Sequence, residues 1–137
     1  MFVLSDKAMF PDLNAVTLEN LLAYSSEAIV FSDLQGTVLF ANLAAEKLYG
    51  WATGELLGQN VDVFNAHTSH STEEIVEDIK NKGSWQGTLM QRRKDGSTFH
   101  SELTVAWILD ENKEHIGLGS HSRAVTGIWH AQRELGG

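Results

Sequence analysis

A chain of 137 residues, 42% of them hydrophobic, is the size of one domain with one buried core, and no composition break divides it. The net charge of −8 argues against nucleic acid and anionic membranes as partners, because both need a basic face. Without cysteine there is no disulfide, thiolate metal site or thiol nucleophile.

No apolar run is long enough to cross a bilayer, and Met1-Phe2-Val3-Leu4-Ser5-Asp6 lacks the basic and apolar regions of a signal peptide. A soluble, cytoplasmic domain is expected. Residues 1 to 16 show no clean period. Thr17 reads as an N-cap, and Leu18, Leu21, Leu22 and Tyr24 at helical spacing predict a short amphipathic helix, making 1–24 a flanking cap ahead of a core over 25–127. Ala28 to Asp33 and Thr37 to Asn42 are β-rich runs around the turn Asp33-Leu34-Gln35-Gly36, a hairpin pattern.

Ala44, Ala45, Lys47, Leu48 and Tyr49 predict a short helix ended by Gly50, and Thr53 to Gly58 a further helical turn stopped by glycine. Residues 60 to 71 read as an irregular connection. Thr72 caps a helix with Glu74, Glu77 and Asp78 toward water and Ile75, Val76 and Ile79 inward, closed by Gly83. Three strands follow. Trp85 to Arg93 and Thr98 to Leu109 flank the Asp95-Gly96 turn, and Phe99, Leu103, Val105, Trp107 and Leu109 share one face of the second. Asp110 to Lys113 turns the chain into residues 115 to 126, where Ile116 and Leu118 alternate with Gly117 and Gly119. From Ile128 the chain reads as the start of a C-terminal linker helix over 128–137. The fold class is α+β: a five-stranded antiparallel sheet with short helices on one face, and room for a ligand between the layers.

Ala28 to Asn42, Ala44 to Trp51 with Gly54-Glu-Leu-Leu-Gly58, and Gly83-Ser-Trp-Gln-Gly87 with Arg92-Arg-Lys-Asp-Gly-Ser-Thr-Phe99 resemble, in order and spacing, successive segments of the PAS sensor family. The resemblance covers roughly residues 20 to 130. It implies a sensor segment of a larger signalling protein, joined to an output domain such as a kinase, cyclase or receptor. The chain departs from the family at Arg123-Ala-Val-Thr126, where alanine stands in place of the usual acid before the output helix.

The cysteinyl-adduct light sensors of the family carry cysteine after a Gly-x-Asn motif. In Gly58-Gln-Asn-Val61 that position is valine, which excludes their photochemistry. A redox flavin, FAD, is the first cofactor the resemblance implies. Trp85 would stack on the ring, Asn42, Asn60 and His121 would reach its polar edge, and Phe64 belongs to the same set. Haem b is the second, with His70 or His67 as axial ligand. The pair His67 and His70 with Glu73 and Glu74 does not supply the four firm ligands of a structural zinc site.

There is no Gly-x-Ser-x-Gly elbow and no glycine-rich phosphate loop, so the expected role is sensing rather than catalysis. The basic run Arg92-Arg93-Lys94 is too short for a nucleic-acid site. Expected partners are a small-molecule ligand or cofactor and a second copy in a homodimer through the N-terminal helix. The alternative is a cofactor-free module used for dimerisation or protein interaction.

Overall fold

A computed structural model describes residues 2–3, 22–65 and 72–125. Its strands are β1 (Phe2–Val3), β2 (Ala28–Ser32), β3 (Val38–Ala41), β4 (Ser84–Arg92), β5 (Thr98–Leu109) and β6 (His115–Ala124). Its helices are α1 (Leu43–Tyr49), a 3-10 turn (Val61–Phe64) and α2 (Thr72–Lys82). The antiparallel sheet runs β3-β2-β6-β5-β4, and β1 adds a short parallel pairing to β5 at Ile108 and Leu109, on the edge it shares with β4. The predicted α+β architecture is therefore present, with β1 as an element the aperiodic first residues did not announce.

The turns form for local reasons. Asp33 Oδ1 accepts from the Gln35 and Thr37 amides at 2.9 Å each, while Gly36 takes the left-handed φ of 87° that closes the β2–β3 hairpin. Asn42 ends that hairpin and caps α1, which stops at Gly50 in the αL conformation. The helical turn expected at Thr53 to Gly58 is instead a series of tight turns. Gly54 and Gly58 both take left-handed φ, which interrupts a helix, and the segment is pinned by Leu56, which is buried.

In α2 the predicted inward face holds, with Ile75 and Ile79 buried and Val76 half-buried; Glu74 and Glu77 are exposed as expected, whereas Asp78 is half-buried. In β6 the simple alternation fails. A bulge opposite Ile108 and Leu109 pairs them with Gly117 and His115, so Ile116 faces solvent instead of joining Leu118. Gly117 has its own reason to be glycine: a Cβ there would stand 2.1 Å from the Ser32 carbonyl oxygen of β2.

Two apolar clusters build the core between sheet and helices. One joins Ala28, Val30, Val38, Ala45, Tyr49, Leu56 and Phe64; the other joins Ile75 and Ile79 of α2 to Leu89, Leu103, Val105, Trp107 and Leu109 of the sheet. On the opposite sheet face Ile29, Phe31 and Ile108 form a smaller cluster, joined by Phe40 and Leu22. Leu22 thus packs on its own sheet as one side of the expected N-terminal stripe would, but Tyr24 is 86% exposed and does not share that side. The remainder of the predicted helix, Thr17 to Leu21, and the linker helix from Ile128 lie outside the described residues.

A cavity between sheet and helices as the candidate site

The two core clusters do not quite meet. At their junction lies a cavity of about 90 Å³. Val30, Val61, Phe64, Ile75, Leu103, Val105 and Leu118 give it apolar walls, and Ser32, Tyr49, Asn65, Gln91 and Ser120 place polar groups among them. Each comes from a different constraint. The 3-10 turn, capped by Asn60, swings Val61 and Phe64 under the sheet. The inward phase of β4 and β6 delivers Gln91 and Ser120.

The polar centre is Tyr49, in the last turn of α1 and 2% exposed. Its ring stacks on Phe64 with centroids 4.1 Å apart, and Phe99 leans on it at 6.0 Å. Its hydroxyl donates to Gln91 Oε1 at 2.8 Å and lies 2.9 Å from Ser122 Oγ on β6. A phenol has one proton to give, so with Gln91 accepting it the serine donates. Burial pushes the Tyr49 hydroxyl up to about 12, against smaller opposing effects of the two hydrogen bonds, so it stays neutral across ordinary pH. Ser101 of β5, on the same inner face, is fully buried and its Oγ has no hydrogen-bond partner. Gln91, Ser101 and Ser122 thus lie on the inner face of three adjacent strands, and of the three Gln91 lines the cavity.

Of the residues the sequence offered for a cofactor, Phe64 lines this cavity. Asn42 is buried, and all four of its amide positions are engaged: Oδ1 accepts from Ile29 N and Ala45 N, and Nδ2 donates to the Leu22 and Glu27 carbonyls. Asn60 is exposed, caps the 3-10 turn through Asp62 N, and holds the Gln35 carbonyl at 3.2 Å. Trp85 lies over Gly87 and packs against the α2 cluster, away from the cavity lining. His121 faces the other side of the sheet, where its Nδ1 is 2.7 Å from Glu27 Oε2. His67 and His70 lie outside the described residues.

Sequence reasoning passed over Tyr49, Gln91, Ser101 and Ser122. The available signal was a polar residue in the inward phase of a strand: Gln91 two after Leu89, and Ser101 between Phe99 and Leu103.

The space tests the expected cofactors. Sites for drug- or cofactor-sized ligands run to roughly 300–1,000 Å³. At about 90 Å³, with the Tyr49–Phe64 stack in place, this cavity does not fit an isoalloxazine ring. Among the described residues no histidine lines it to serve haem, and no cluster of three or more histidines and carboxylates could hold a metal ion. Val61, where the adduct-forming light sensors carry cysteine, is part of the wall.

The sequence profile of the PAS domain family matches residues 26–122. A blue-light photoreceptor of Listeria monocytogenes is 29% identical over 119 residues, 83% of this chain and 47% of that protein, so this chain spans about half the length of that curated relative. The PAS domain of a Colwellia psychrerythraea protein is 30% identical with a TM-score of 0.75, covering 81% of this chain and 96% of that one. An RNA-binding light-oxygen-voltage receptor shares the fold at 23% identity and a TM-score of 0.78, over 96% of this chain and 37% of its own.

Proposed function

This chain belongs to the PAS domain family, and from that premise we propose that it is a sensor module that reads a small, uncharged ligand in the cavity between sheet and helices. The observation that supports this is the cavity itself: apolar walls around a few polar groups from Ser32, Tyr49, Asn65, Gln91 and Ser120. Apolar walls favour a ligand that leaves water, and a few hydrogen-bonding groups orient it.

The relay follows from Tyr49. Its hydroxyl joins α1 to β4 and to β6 at Ser122, near the end of the last strand. A ligand that competes for Gln91 or Ser122 favours a second arrangement of these groups, and the two populations differ where β6 hands the chain on to an output domain. The core 25–127 senses, the flanks 1–24 and 128–137 transmit, and any catalysis belongs to the output domain, with a kinase, cyclase or receptor as the candidates. The module acts in the cytoplasm as a homodimer through its N-terminal segment and the outer sheet face. Light scattering finding a monomer at high micromolar concentration refutes the dimer.

Flavin is the second reading, FAD first, and rests on the named light-sensing relatives. It requires the Tyr49–Phe64 stack to open. An absorption spectrum of the purified protein separates the readings: flavin absorbs near ~450 nm and haem near ~410 nm. A colourless protein whose Val30, Leu103, Val105 and Leu118 methyl resonances shift under xenon supports the small-ligand sensor. A colourless protein indifferent to xenon overturns it in favour of a cofactor-free dimerisation module.

A further inference from the structure

Tyr49 occupies an unusual place for a core side chain. It begins on the helical layer and crosses the interior to the inner face of the sheet, where its hydroxyl meets a glutamine and a serine on two different strands. Its ring plane is inclined only 25° to that of Phe64, as a bound aromatic ligand would lie on a stacking platform. The cavity beside it carries further polar groups, from Ser32, Asn65 and Ser120.

Resting on the cavity reading above, we propose that Tyr49 is the specificity-determining residue of this sensor: its phenol stands where the body of a larger aromatic ligand would sit, and so restricts the chain to ligands smaller than one aromatic ring. The volumes support this. A dry cavity of roughly 150 Å³ takes up benzene or xenon. The space beside Tyr49 is about 90 Å³, enough for xenon or a few-atom molecule and too little for an aromatic ring. Removing the phenol adds at least the volume of a benzene ring to it. The enlarged chamber keeps Phe64 as a stacking face, and Gln91 and Ser122, the partners of the removed hydroxyl, as a polar floor. Its preferred occupant is therefore a neutral phenol, planar and with one hydroxyl.

The experiment uses the full chain and three probes, xenon, 4-methylphenol and toluene, read by methyl and amide chemical shifts with thermal denaturation in parallel. Wild type takes xenon and excludes 4-methylphenol at millimolar concentration. Tyr49→Ala binds 4-methylphenol at least tenfold more tightly than wild type and is stabilised by it. Toluene, which cannot bond the floor, binds that variant about tenfold more weakly than 4-methylphenol, the worth of roughly one net hydrogen bond. Tyr49→Phe still excludes the phenol, showing that ring bulk and not the hydroxyl sets the limit. Tyr49→Ser, which opens about as much space as alanine and supplies a second variant if alanine is too disruptive, admits toluene. Equal 4-methylphenol affinity in wild type and Tyr49→Ala overturns the proposal, as does a folded Tyr49→Ser that takes no toluene. Failure of wild type to take xenon removes the natural cavity instead, and the aromatic probes still decide the role of Tyr49.

Discussion

Replacing Asn42 by alanine should destabilise this domain more than any exposed substitution of similar size. The side chain is 2% exposed and makes four hydrogen bonds of 2.9–3.0 Å. It accepts from Ile29 at the start of the sheet and from Ala45 inside α1, and donates to carbonyls of Leu22 and Glu27 ahead of β2. One amide therefore ties the incoming segment, the first strand and the first helix together. At about 1 kcal/mol net per hydrogen bond, the α1 cap included, the loss is about 3–5 kcal/mol, since water has little access to the groups left behind. For a domain of this size that is on the order of 10–20 °C in melting temperature. Urea unfolding at constant slope is the assay. Asn42→Asp should recover part of the loss, because the carboxylate still accepts from Ile29 and Ala45, but it sets a negative charge against two carbonyls. A loss for Asn42→Ala below about 1 kcal/mol would refute the clamp and return Asn42 to the candidates for ligand contact.

The Tyr49 hydroxyl, near 10 in the unfolded chain and about 12 when folded, contributes stability that is complete below pH 10 and is lost as pH rises from 10 through 12. Two units correspond to about 2–3 kcal/mol, so urea midpoints of wild type and Tyr49→Phe should converge over that range, and parallel curves would show the group is not buried as described. Gly117→Ala should cost about 3 kcal/mol or more, because its Cβ meets a backbone oxygen of β2 that cannot step aside; a thermal midpoint within a few degrees of wild type would contradict the close approach. Trp85→Ala should cost about 3 kcal/mol through lost packing on α2 while leaving xenon affinity within twofold, and loss of xenon binding in a folded variant would bring Trp85 back to the site.

The inward phase of β5, the three hairpin turns and the glycine stops of α1 and α2 were legible in the sequence, because each depends on local rules: period-2 alternation, Asp and Asn side chains closing turns, and glycine at left-handed φ. So was the PAS-type order of elements, since tight turns leave antiparallel neighbours few alternatives. Tertiary structure alone decided what those elements enclose. The bulge that turns Ile116 outward arises from pairing with β5, whose register no local pattern in β6 specifies. Asn42, Asn60 and His121 have side chains suited to a cofactor edge, yet the fold engages them as a clamp, a cap and a surface pair. Conversely Tyr49, Gln91 and Ser122 lie as far as 73 residues apart in sequence and become one polar cluster only when α1 is laid across the strands. Local chemistry fixes which way a side chain points along its own element. Whether it meets solvent, a partner or a cavity depends on the packing of the layers, and that is a property of the whole chain.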